Sequence, residues 1–83
     1  MWTVYIVKCN DKKLYTGITT DIDRRLTEHN SGKGGRFTRF RTPVKLVYKE
    51  KVASRSEALK REAAIKKLSR PEKLSLISEA VLI

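Results

Sequence analysis

The chain has 83 residues, 40% of them hydrophobic and 34% charged, with one cysteine and a formal net charge of +10. This composition predicts one small folded domain over residues 1–83 rather than a disordered chain. It excludes an internal disulfide and paired cysteines for zinc, and no apolar run of about eighteen residues is present to span a membrane. With no signal-peptide pattern at Met1 to Tyr5 and Cys9 alone, the setting these features predict is a reducing cytoplasm. The charge is also uneven. Residues 33–73 carry fourteen Lys or Arg against four Glu, whereas the first 32 residues carry five basic and four acidic side chains. A one-sided excess of this kind points to a polyanion, most simply a nucleic-acid backbone. The basic residues fall on loop, strand and helix and not on one amphipathic helix, which argues against a membrane surface.

Taken in order, Trp2–Lys8 and Leu14–Ile18 read as strands. The polar stretch Cys9-Asn10-Asp11-Lys12-Lys13 between them has the Asn and Asp that turns favour, so the pair predicts a β-hairpin. Strand alternation puts Thr3, Tyr5 and Val7 on one face of the first run, and Tyr15, Gly17 and Thr19 on one face of the second. The hairpin can thus bring Tyr5 and Tyr15 to the same side, with Gly17 beside Tyr15 marking a close approach. Simple packing explains two tyrosines on a sheet as well.

A short helix follows over Ile22–Asn30, with Thr20 and Asp23 spaced as a capping box. Its period turns Ile22 and Leu26 to the core and places Arg25 and His29, four residues apart, beside them. Neither residue has metal-ligand company in sequence. The loop Ser31–Pro43 is glycine-rich and basic, and it lacks the Walker arrangement of a nucleotide-binding loop. Lys33, Arg36, Arg39 and Arg41 interleave with Phe37 and Phe40. That pattern suits phosphate contact and base stacking, although a small domain needs both Phe residues for its core.

Val44–Val52 predicts a third strand in which Lys45, Val47, Lys49 and Lys51 alternate with Leu46 and Tyr48. Ser54 and Glu57 form a capping box for a helix from Arg55 to about Ser69, which Pro71 stops. On that helix Ala58, Leu59, Ala63 and Ile65 form the apolar arc, and Glu62 falls inside it. A carboxylate on a core-facing arc is costly unless it is paired or holds a cation. A salt bridge to a buried Arg such as Arg25 and a metal-ligating role are the two readings of Glu62. Glu72–Ile83 predicts a second short helix or an apolar tail.

The ordered set Tyr5, Tyr15, Gly17, Arg25, His29 and Glu62 resembles the GIY-YIG nuclease family, in its small single-domain bacterial branch. The first motif stands here as Val4-Tyr5-Ile6 and the second as Tyr15-Thr16-Gly17. Arg25 and His29 follow on a helix, and Glu62 precedes Ile65-Lys66-Lys67. The resemblance covers Thr3 to about Leu74. It implies an α+β fold, a three-stranded antiparallel sheet flanked by helices in the order β-β-α-β-α-α. It implies hydrolysis of a DNA phosphodiester with one divalent metal ion, Mg²⁺ or Mn²⁺, held by Glu62.

By the same resemblance, Tyr15 is the favoured general base at the attacking water, and Tyr5 supports that water or the metal's water shell. Arg25 binds the scissile phosphate, and His29 orients or accepts a proton. Gly17 keeps the sheet face open to the nucleic-acid backbone. A tyrosine base needs nearby positive charge to favour its phenolate; without it His29 is the alternative base.

Two departures favour a second reading, a catalytically weak nucleic-acid clamp on DNA or RNA. Ile18 stands where some relatives have Lys, and no Asn follows Lys67. Charge alone also fits a structural RNA-binding protein, but a clamp gives no reason for a carboxylate on an apolar arc. The nuclease reading carries low intrinsic sequence specificity, with repair or structured DNA as its setting. A protein partner would then supply specificity, and the chain would be a monomer or weak dimer.

Overall fold

The computed structural model describes residues 1–36 and 38–81, with side chains through Glu79. The elements run β1 (Trp2–Lys8), β2 (Leu14–Thr19), α1 (Ile22–Asn30), β3 (Lys45–Val52), α2 (Arg55–Lys66) and α3 (Arg70–Val81). The three strands form an antiparallel sheet in the order β2-β1-β3. This is the α+β fold and the β-β-α-β-α-α order that the sequence predicts.

β1 sits at the centre and is buried continuously from Thr3 to Val7. Such a run lacks the apolar–polar alternation of a half-exposed strand because both faces are covered. On one face Val4 and Ile6 pack with Ala58 and Ile65 of α2 and with Leu76 and Ile77 of α3. On the other, Tyr5, Val7, Cys9 and Val44 pack with Tyr15, with Ile22 and Leu26 of α1, and with Leu46. Cys9 is buried and free. Each fully enclosed aliphatic side chain contributes about 1.5–3 kcal/mol through water removed from its surface.

The hairpin turn closes through Cys9 N–H to Lys13 O at 2.8 Å and Lys12 N–H to Cys9 O at 2.9 Å. Lys12 takes φ 69°, a conformation that nothing in its residue type announces.

Four local expectations change. Asp21, not Thr20, caps α1, its carboxylate accepting from Arg24 N–H at 3.1 Å. β3 does not alternate strictly, because a register shift falls between Ile6 and Val7. Val47 and Tyr48 therefore both pack on the side of α2 and α3. α2 ends at Lys66, three residues before the predicted end, and Pro71 opens the next helix instead of stopping this one. Ser69 and Glu72 form the capping box there, Glu72 N–H to Ser69 Oγ at 3.3 Å and Ser69 N–H to Glu72 Oε1 at 2.9 Å. Pro lacks an N–H that the first turn would leave unused. Finally, Leu59 and Ala63 are exposed, so the inward stripe of α2 runs through Ala58, Glu62 and Ile65. The C-terminal residues Leu82 and Ile83 of the predicted tail lie outside the described residues.

Candidate active site

Tyr5 and Tyr15 meet because of register. Tyr5 pairs with Gly17 and Val7 with Tyr15, so the two tyrosines are diagonal neighbours on one face. Their ring centroids are 6.5 Å apart. The surface above Gly17 is not open, as the sequence suggested, but is occupied by the Tyr5 ring. A Cβ on residue 17 would stand 2.6 Å from the Tyr5 hydroxyl. Gly17 is itself buried, and the close approach it permits is that of the tyrosine.

His29 lies at the end of α1 under both rings, 5.9 Å from the Tyr5 centroid and 5.5 Å from that of Tyr15. It is fully buried. Its Nε2 is 2.8 Å from the Tyr5 hydroxyl and its Nδ1 is 2.7 Å from Thr38 Oγ1. Burial lowers the His29 pKa, and the Arg25 charge lowers it further, so the ring is neutral near pH 7. The nearby Arg25 guanidinium pulls the Tyr5 pKa down, against its burial. A neutral imidazole carries one N–H, so one His29 nitrogen donates and the other accepts between Tyr5 and Thr38. Burial also raises the Tyr5 pKa, which keeps that side chain a phenol.

Arg25 is held at two points and remains partly open. It donates to Glu28 Oε1 at 3.2 Å and to Gly34 O at 2.5 Å, and its side chain is 28% exposed. Gly34 brings its backbone this close because a Cβ there would overlap His29. Asn30, expected only to end α1, brackets the entry to β3. It accepts from Val44 N–H at 2.6 Å and donates to Val44 O at 3.2 Å. Thr38 and Gly34 have no sequence signal of their own, because a loop has no period; the glycine cluster marks the region without choosing the residue.

Glu62 approaches from the helix on the opposite side of the sheet. α2 lies along β2, an edge strand. The Glu62 carboxylate pairs with Lys66 at 3.4 Å and its side chain is 19% exposed. The expected partner Arg25 is bonded instead to Glu28 and Gly34. The Glu62 charge is still felt at Tyr5, where it helps to raise the pKa. The sequence-selected Tyr5, Tyr15, Gly17, Arg25 and His29 thus form one cluster, with Glu62 within electrostatic reach.

These donors suit a hard cation. Mg²⁺ takes one or two carboxylates together with waters and phosphate oxygens, and Glu62 offers a half-buried carboxylate. No group of three or more His, Cys, Asp or Glu gathers among the described residues. His29 is unsuited as a ligand because Tyr5 and Thr38 engage both ring nitrogens.

Of the basic loop, Lys33, Arg36 and Arg39 are exposed. Arg41 is half-buried and pairs with Asp11 at 2.9 Å, tying the loop to the hairpin turn. Phe40, expected in the core, is 84% exposed, because Thr38 and Val44 fill the inward positions of this segment. Phe37 lies outside the described residues.

A family profile described as the GIY-YIG catalytic domain matches residues 1–75. A UPF0213 protein of Desulfotalea psychrophila is 62% identical over 77 residues, covering 92% of this chain and 70% of that one. Another, of Staphylococcus saprophyticus, is 55% identical over 76 residues, covering 92% and 93%. The solution NMR structure of a UPF0213 protein from Bacillus halodurans is similar with a TM-score of 0.61 at 47% identity, over 94% of this chain and 84% of that one.

Proposed function

The chain belongs to the GIY-YIG family, a family of nuclease domains that generally use a divalent metal, and on that premise we propose that it hydrolyses DNA phosphodiesters with Mg²⁺ or Mn²⁺. The observation that carries this reading is the cluster of Tyr5, Tyr15, His29 and Arg25 on one sheet face, with a half-buried carboxylate on the helix across the sheet. Phosphodiester hydrolysis depends on positioning and charge neutralisation, and the parts divide accordingly.

Arg25 receives the scissile phosphate. Its bond to Gly34 O fixes the guanidinium before substrate arrives, and the phosphate competes with Glu28 for it. Tyr15 is half-buried on the open side, and in its phenolate form it would take the proton of the attacking water. Tyr5 and His29 are enclosed, so they hold Arg25 and Tyr15 in place from beneath. Glu62 would hold the metal, which when bound supplies Lewis-acid stabilisation of phosphate charge. Lys33, Arg36, Arg39 and Arg41 supply the sequence-independent backbone attraction.

A clamp without catalysis is the second reading, and the absent Lys at position 18 favours it. Incubating the protein with labelled single-stranded, duplex and branched DNA in Mg²⁺, Mn²⁺ or EDTA separates the two. Cutting that requires metal supports the nuclease; salt-sensitive binding with no cutting in any condition supports the clamp.

A further inference from the structure

We infer that Phe40 is a stacking platform for an unpaired nucleobase, which makes single-stranded DNA the preferred substrate of the site. The inference rests on the nuclease reading and adds the form of DNA to it.

A lone exposed aromatic is ordinary on a protein surface; the setting of Phe40 is what distinguishes it. Thr38 O accepts from Arg41 N–H at 3.0 Å, closing a four-residue turn with Arg39 and Phe40 at its two tip positions. The Arg39 guanidinium lies over the Phe40 ring, 5.2 Å from its centroid. With one face shared with a cation and the residue 84% exposed, the ring keeps a face open to solvent. Gly32, Lys33, Gly35, Arg36 and Arg39 line a shallow depression beside the turn. Among the described residues, Lys33, Arg36 and Arg39 have no carboxylate partner. An open aromatic face amid unpaired cations is the arrangement that binds single strands, phosphates on the cations and a base on the ring.

The turn is also fixed to the reacting groups. The same loop gives Gly34 O to Arg25 and Thr38 Oγ1 to His29, and its far end is tied through Arg41 to Asp11. The Cα of Phe40, two residues from that of Thr38, is no more than about 7 Å from it. The loop that presents Phe40 is therefore the one that holds Arg25 and His29. Bases of a continuous duplex are held in their own stack and cannot reach a ring at a loop tip without being unpaired.

The test is a binding measurement in EDTA at fixed salt, with a single-stranded oligonucleotide carrying one 2-aminopurine and with the matching duplex. Wild type, Phe40→Ala and Phe40→Trp are compared; the side chain is exposed, so neither change disturbs the core. Stacking quenches 2-aminopurine fluorescence. The expected result is a fall of about tenfold in the single-strand to duplex affinity ratio for Phe40→Ala, the size of one base stack, with loss of quenching, and a retained ratio for Phe40→Trp. An unchanged ratio in Phe40→Ala, with wild-type DNA binding intact, overturns the platform and leaves the nuclease reading standing. Failure of wild type to bind either form of DNA overturns both.

Discussion

A histidine enclosed on every side has two ring nitrogens to satisfy, and here Tyr5 and Thr38 satisfy both. Leaving a buried donor unpaired would cost about 1–3 kcal/mol, so Thr38 is as necessary to the row as the tyrosine that the motif announces. The enclosure has a pH signature. An unfolded His titrates near about 6.5, and folding lowers His29 below that value. Between the two pKa values the unfolded chain binds the extra proton, so stability is complete above the unfolded pKa and falls as pH drops through it. One such group contributes a slope of at most about 1.4 kcal/mol per pH unit. Urea midpoints at about pH 7.5 and about pH 5.5 should therefore differ more for wild type than for His29→Gln. Equal losses would show that His29 is already charged in the folded protein. Tyr5, Tyr15, Arg25 and His29 were legible in the sequence because strands and helices repeat with fixed periods. Thr38 and Gly34 were not, since a loop brings residues together by its path alone.

At the scale of elements, every strand and helix carried a local signal, and the departures fell at the ends of α1 and α2, at the bulge in β3 and in the inward stripe of α2. Two hydroxyl-bearing residues and an Asp precede α1, and spacing alone chose Thr20. The backbone instead offers Arg24 N–H to Asp21, while Thr19 Oγ1 accepts from Asp21 N–H at 3.1 Å. Asp21→Ala should lower unfolding stability by about 1 kcal/mol, the usual worth of such a cap, while Thr20→Ala should leave it within about 0.5 kcal/mol. Denaturant titration of the two variants reads this directly; the reverse order would restore the Thr20 cap. Pro71 is ambiguous for a related reason. A proline stops one helix and starts the next with equal ease, and the Ser69–Glu72 spacing, present in the sequence, was the signal that decides between them.

For the whole molecule, what the sequence did not disclose was which face of the sheet each helix covers. The continuous apolar run of β1 requires cover on both faces, but it does not assign α1 to one and α2 with α3 to the other. That assignment bears on function. It places Glu62 on the helix opposite the tyrosine cluster, beside edge strand β2, rather than in an ion pair with Arg25. A carboxylate in that position, on a chain of net charge +10, weakens attraction for phosphate unless it holds a cation. In the clamp reading Glu62 does no more than pair with Lys66; the nuclease reading requires it.

Single-turnover cleavage of end-labelled single-stranded DNA in Mg²⁺ by wild type and Glu62→Gln, with binding of both measured in EDTA, tests that requirement most directly. The expected result is that the variant binds as tightly as wild type or tighter, yet cuts about a hundredfold more slowly or worse, the scale of losing one charge-stabilising group at a reacting centre. Equal cutting by Glu62→Gln, or no cutting by wild type with Mg²⁺ or Mn²⁺, would contradict the account.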